Sequence, residues 1–125
     1  MTNHSHGKPG YTGIKRVVKA TRYSFQGLKA AFQHEAAFRQ EIVLLLIATV
    51  VSCLINVSTL EHIALIGVVV LVVIVELLNS AIEAIVDRIG SEHHELSGRA
   101  KDIGSAAVFV ALVFAAFTWF YILVS

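Results

Sequence analysis

The stretch that decides the fold of this chain is IALIGVVVLVVIV (Ile63–Val75), followed without a break by ELLNSAIEAIVDRIG (Glu76–Gly90). The first 13 of these residues carry no charge. About 20 apolar residues in a helix cross the ~30 Å hydrocarbon core of a bilayer. The stretch therefore predicts a membrane-spanning helix, and Gly90 predicts its end, because helices commonly stop at glycine.

Two further apolar segments flank the first. Ile42–Ile55 has 14 residues and is extended toward spanning length by residues 36–38, and Ile103–Val124 has 22 residues without a charge. Trp119 and Tyr121 lie near the end of the last segment, as aromatic side chains do at a membrane interface. The pattern predicts an all-α membrane protein with three transmembrane helices, at about residues 36–55, 60–89 and 98–124.

The composition excludes several classes of protein. The 125 residues are 56% hydrophobic and only 15% charged, which is too apolar for a soluble domain, a disordered chain or a nucleic-acid-binding domain. The single cysteine, Cys53, excludes an intrachain disulfide and is expected as a small core residue. We therefore expect membrane lipids, and no nucleic acid, among the partners of this chain.

The segment before Ile42 carries seven of the ten Lys and Arg residues. We expect residues 1–12 to form a flexible tail and residues 13–125 a single membrane domain. Between residues 13 and 34, apolar side chains share one side of a helix and four cations lie on another. The four cations are Lys15, Arg16, Lys19 and Arg22. This pattern predicts an amphipathic helix in the membrane interface; a helix packed on its own protein is the alternative.

Positive charge also indicates the topology. The segment Asn56–His62 between the first two spans has no Lys or Arg, whereas the segment between the second and third contains Arg88, Arg99 and Lys101. Cytoplasmic loops are enriched in Lys and Arg. We therefore place the N-terminus and the second loop in the cytoplasm and the C-terminus in the periplasm.

Five polar residues interrupt the second span and share one helical face, within an arc of about 100°. They are Glu76, Asn79, Ser80, Glu83 and Asp87. Such a stripe must face protein or water, and ionisable residues at membrane depth mark functional sites. A polar network that holds an oligomer together, or a helix that simply emerges into water, would give the same pattern.

The carboxylates of this stripe suit two different tasks. Glu76 lies just inside the membrane boundary, where partial removal from water suits it to accept a proton near neutral pH. Glu83 lies nearer to water and suits Mg²⁺ binding.

The loop that follows this span adds further polar groups. Ser97 is expected to cap the third span, with Arg99 and Lys101 as nearby cations, and together these are the parts of a phosphate cradle. Alternatively, the two cations only determine topology.

Two runs resemble the bacterial membrane diacylglycerol kinase family, together with the region Tyr23–Leu28 before them. The runs are EAAFRQE (Glu35–Glu41) and VELLNSAIEAIVDRIGSEHHELSGRAKDIGSAAV (Val75–Val108). The resemblance extends from Gly13 to Tyr121. It implies a homotrimer in the cell inner membrane, each subunit with a surface helix and three spans. It also implies transfer of the γ-phosphoryl group of MgATP to diacylglycerol, giving phosphatidic acid.

The same resemblance implies roles for individual residues. Glu76 would be the general base, with Asn79 beside the reacting groups, and Glu35 and Glu83 would bind Mg²⁺. The residues around ATP would be Arg16, Tyr23, Glu35, Glu83, Glu92, His93, His94, Lys101 and Asp102. The residues along the acceptor lipid would be Arg16, Ala20, Ser24, Phe25, Lys29, Phe32, Ala37, Arg39, Gln40, Glu41, Glu76 and Ser105.

Two other functions fit the same sequence. Undecaprenol kinase, of the same superfamily, performs the same chemistry on a polyprenyl alcohol. A small transporter would instead use Glu76 to bind a cation part-way along its pathway. ATP consumption separates the kinases from the transporter, and competition between acceptor lipids separates the two kinases.

Overall fold

The computed structural model describes residues 13–90 and 94–125, which form four α-helices. They are α1 (Ile14–His34), α2 (Ala36–Leu54), α3 (Thr59–Ile89) and α4 (Glu95–Val124). α1 belongs to one compact unit, and α2, α3 and α4 belong to a second. Within the second unit, α3 contacts both α2 and α4. The tail expected over residues 1–12 lies outside the described part of the chain.

Three of these helices, α2, α3 and α4, are long and apolar enough to cross a bilayer, at 19, 31 and 30 residues. The prediction of an all-α chain with three helices able to span a membrane is therefore confirmed. The bounds of α2 and α3 lie within one residue of those predicted, but α4 starts three residues earlier than expected, at Glu95.

The early start of α4 corrects the expected cap at Ser97, because His94 is the N-cap residue. The Leu96 backbone N–H donates to His94 Nδ1 at 3.0 Å, which satisfies one of the N–H groups that a helix leaves free at its start. Glu95 then stands in the first turn, where the positive end of the helix dipole favours a negative charge. The cap therefore lies in the polar segment before the uncharged run, and a hydropathy pattern does not detect a helix start in a polar segment.

The ends of α3 are defined by local hydrogen bonds. The Glu61 backbone N–H donates to Ser58 Oγ at 3.1 Å, and the Ser58 backbone N–H donates to Glu61 Oε1 at 2.9 Å. This capping box satisfies two N–H groups at the start of the helix. At the other end the Gly90 N–H donates to the Val86 carbonyl at 3.4 Å. The helix therefore ends at Ile89 with Gly90 as its C-cap residue, as predicted.

The hydrophobic core of the second unit is built on α3. The core cluster consists of Val68, Val69 and Val72 of α3, Ala48 of α2, and Ala111 and Ala115 of α4. Alanine on the two outer helices allows a close approach to α3. Cys53 is exposed on α2, so its expected position in the core is wrong.

Two polar contacts join the spans near the start of α3. The Trp119 indole N–H donates to the Leu65 carbonyl oxygen at 3.0 Å. Trp119 therefore packs on the protein and does not only lie at the membrane interface, as was expected of it. Tyr121 is exposed. The buried Ser52 hydroxyl lies 2.9 Å from His62 Nδ1. These bonds fix the register of α2 and α4 on α3.

Near the other end, α4 approaches α3 at the buried Gly104. A methyl group added at this glycine would collide with the side-chain oxygen of Asn79 and would also touch Ile82 at 3.8 Å. Because Gly104 has no side chain, the Asn79 amide has room to lie between the two helices.

We predict that Gly104→Ala lowers the free energy of unfolding by about 1–3 kcal/mol, because the added methyl group must displace the Asn79 side chain. Gly67→Ala is the matched control: it is also a helical glycine, but a methyl group there meets nothing within 4 Å. Denaturant titration in detergent micelles, followed by circular dichroism at equal protein concentration, measures both. Equal stability of Gly104→Ala and the unmodified chain would contradict the packing described here.

Candidate active site

The polar stripe of α3 passes from the protein interior to its surface. Glu76, Asn79 and Ser80 are 4%, 8% and 9% exposed. Glu83, further along the same face, is half-buried, and Asp87 is exposed. The deep part of the stripe therefore faces protein and not lipid, as its spacing predicts.

Glu76 is the most deeply buried acidic residue of this stripe. The Ser80 hydroxyl, one turn further along α3, donates to Glu76 Oε2 at 3.1 Å. A hydrogen bond to an ionised acceptor is stronger than one between neutral groups. The bond therefore holds the carboxylate in one orientation on the face that packs inside the protein.

Two buried oxygen atoms near this carboxylate lack a donor. Neither Glu41 Oε1 nor Asn79 Oδ1 has a hydrogen-bond partner among the described residues. The carboxylate of Glu41 interacts electrostatically with that of Glu76, and Glu76 in turn with Glu35 and Glu83. Because buried acceptors are nearly always paired, this cluster suits a ligand that brings hydrogen-bond donors or positive charge.

The carboxylates of Glu35 and Glu83 are of the chemical type that Mg²⁺ binds, and both interact electrostatically with Glu76. Both offer oxygen ligands, which this cation prefers, and the Glu35 side chain does not cap α2 although Glu35 is its N-cap residue. Across residues 13–90 and 94–125, no three His, Cys, Asp or Glu side chains form a metal site. Mg²⁺ is usually held by one or two carboxylates together with water and substrate phosphates, so two carboxylates are enough protein ligands for this ion.

The cations at the start of α4 behave differently from each other. Lys101 Nζ lies 2.8 Å from Asp87 Oδ1 and so links α4 to the end of α3. Arg99 pairs instead with Glu95 of its own helix, at 3.5 Å. Of the two cations expected in a phosphate cradle, the structure brings only Lys101 to the polar stripe. Glu92 and His93, also expected near ATP, lie outside the described residues.

The remaining expected site residues are distributed over the helices. On α1 are Arg16, Ala20, Tyr23, Ser24, Phe25, Lys29 and Phe32, on α2 are Ala37, Arg39, Gln40 and Glu41, and on α4 are Lys101, Asp102 and Ser105. Asp102 and Ser105 are exposed, and His94 uses Nδ1 for its cap.

The sequence alone does not predict the role of Gly104 or the pairing of Asp87 with Lys101. A glycine inside an uncharged span is a signal for close helix approach, but it does not identify the partner. The partner is visible only once α3 and α4 are packed together.

Comparison with known proteins assigns this chain to a family. Residues 22–123 match the family described as prokaryotic diacylglycerol kinase. Among similar proteins, the diacylglycerol kinase of Escherichia coli (strain K12) is 59% identical over 108 residues, which cover 86% of this chain and 88% of that protein. The diacylglycerol kinase of Pseudomonas aeruginosa is 54% identical over 114 residues, covering 91% and 93% of the two chains. That of Haemophilus influenzae is 50% identical over 108 residues, covering 86% and 92%. The matched region includes the whole of α2 and α3 and nearly all of α4, and the chain belongs to the prokaryotic diacylglycerol kinase family.

Proposed function

We propose that this chain is a diacylglycerol kinase, which transfers the γ-phosphoryl group of ATP to the hydroxyl of 1,2-diacylglycerol and releases phosphatidic acid and ADP. One observation carries the proposal: a carboxylate, Glu76, is buried at the polar end of a membrane span in a member of this family. A lipid hydroxyl can reach such a group from the bilayer, and a nucleotide can reach the exposed end of the stripe from water.

The oxygen of the lipid hydroxyl bonds to the γ-phosphorus, and the hydroxyl proton passes to Glu76. The bond between the γ-phosphorus and the β,γ-bridging oxygen breaks, and ADP leaves. Ser80 donates to Glu76 Oε2, so the carboxylate is held in place and Oε1 is left for the substrate proton. Asn79 lies beside the reacting groups. Positioning and charge neutralisation supply most of the catalysis in phosphoryl transfer, so this small set of groups is sufficient.

The nucleotide occupies the exposed end of the stripe. Mg²⁺, when bound, would neutralise charge on the phosphates. Glu35 and Glu83 would hold the ion. By the family resemblance, the other residues around ATP would be Arg16, Tyr23, Glu92, His93, His94, Lys101 and Asp102. Lys101 contributes a cation on the side of α3 that carries Glu83, with which it interacts electrostatically.

The acceptor lipid approaches laterally. α1 lies as an amphipathic helix in the membrane interface, with its apolar side toward the acyl chains and its cations toward anionic headgroups. Support comes from the exposed apolar side chains Ile14, Val17 and Val18 next to the cations of the same helix. By the family resemblance, the residues along the acceptor lipid would be those from Arg16 to Glu41 named above, together with Glu76 and Ser105.

The protein lies in the cell inner membrane as a homotrimer, with the N-terminus in the cytoplasm and the C-terminus in the periplasm. The distribution of Lys and Arg supports the orientation. In the most apolar 18-residue stretches of α2 and α4, only 17% and 11% of the residues are buried within this chain. Lipid and neighbouring subunits would cover the rest.

Glu76→Gln should lower turnover of diacylglycerol and ATP by about 10²–10⁴-fold, because glutamine cannot accept the hydroxyl proton. Glu61→Gln is the matched control, since Glu61 lies at the opposite end of α3 in the capping box. It should keep its activity and lose about 1 kcal/mol of stability at most. Phosphatidic acid formed in mixed micelles is the readout, and full activity of Glu76→Gln would refute the base assignment.

Removal of Mg²⁺ with a chelator should abolish turnover. Glu83→Gln should raise the Mg²⁺ concentration needed for half-maximal turnover by about tenfold or more, because one carboxylate ligand is lost. Glu61→Gln should leave the Mg²⁺ titration unchanged. An unaltered Mg²⁺ requirement in Glu83→Gln would remove this residue from the metal site.

The acceptor is tested by competition. With diacylglycerol and undecaprenol present together, labelled phosphate from ATP should appear in phosphatidic acid. Label mainly in undecaprenyl phosphate would indicate the related undecaprenol kinase, and a folded protein with no lipid-dependent ATP use would favour the transporter.

A further inference from the structure

Asp87 and Lys101 form a contact that the reaction described above does not use. Lys101 Nζ lies 2.8 Å from Asp87 Oδ1, with side chains 43% and 67% exposed. The pair connects the last turns of α3 to the second turn of α4. Exposed ion pairs contribute little to stability, so this one is poorly suited to holding the two helices together.

The same contact is well suited to holding a lysine in place. A free lysine side chain has many rotamers, and ordering it on a ligand carries a large entropic cost. A hydrogen bond at 2.8 Å to a carboxylate on another helix orders the ammonium group before a ligand arrives. The ammonium has three N–H donors, so those not used by Asp87 stay available to phosphate oxygens.

The position of the ammonium group is favourable for that role. Asp87 lies one turn beyond Glu83 on the same face of α3, since residues four apart are neighbours on a helix. Lys101 interacts electrostatically with Glu83 as well as with Asp87. The other cation of α4, Arg99, pairs within its own helix. Lys101 is therefore the α4 cation that α3 draws to the polar stripe.

We propose that Asp87 is a positioning residue for the phosphoryl transfer, which holds Lys101 where the phosphates of the nucleotide bind. The proposal rests on the proposed kinase function. Protein kinases use the same physical device, in which a carboxylate on one helix fixes the lysine that contacts the nucleotide phosphates.

The test compares ATP kinetics of Asp87→Asn with those of Glu95→Gln, which removes the carboxylate of the other ion pair on α4. Asp87→Asn should raise the KM for ATP about tenfold, because ATP binding must then order Lys101. Its KM for diacylglycerol and its unfolding midpoint in micelles should stay close to those of the unmodified chain. Glu95→Gln should change none of these values, and Asp87→Glu should recover part of the ATP affinity.

A charge exchange separates positioning from a structural bridge. Asp87→Lys combined with Lys101→Asp rebuilds the ion pair with the ammonium group on α3, and it should not restore ATP turnover. An unchanged or lower KM for ATP in Asp87→Asn, or full activity of the exchanged pair, would overturn the proposal. An inactive unmodified chain would count against the kinase function itself, so the two failures are distinguishable.

Discussion

The burial of the Glu76 carboxylate among membrane-spanning helices is the constraint on which the rest of the site depends. A charge moved from water into apolar surroundings costs several kcal/mol unless hydrogen bonds or opposite charges replace the water. Glu76 is 4% exposed and receives a hydrogen bond from Ser80. It can lie on an otherwise apolar helix because α3 is the central span, with α2 and α4 both packed against it.

The other features of the site follow from this placement. The stripe passes from the buried Glu76 and Asn79 to the half-buried Glu83 and the exposed Asp87, so one helix face runs from the protein interior to its surface. A kinase with a lipid acceptor needs such a gradient, since its two substrates arrive from different solvents. Gly104 on α4 keeps the deep part of this face closed by leaving room for the Asn79 amide.

The three spans and the polar stripe could be predicted from the sequence because hydropathy and helical period are local properties. The start of α4 could not, since His94 caps through a ring nitrogen and the turns before Ile103 are polar. Contacts between distant residues were also out of reach. The bond from Trp119 to the Leu65 carbonyl oxygen joins residues that no local pattern connects.

We propose that a lipid from the bilayer and a nucleotide from the cytoplasm meet at one end of α3. The most direct measurement uses the impermeability of membranes to ATP, with the chain produced in cells that lack diacylglycerol kinase activity of their own. Labelled ATP added to inside-out inner-membrane vesicles should yield labelled phosphatidic acid, whereas intact spheroplasts should yield it only after permeabilisation. Equal labelling in sealed spheroplasts and inside-out vesicles would contradict a site that faces the cytoplasm.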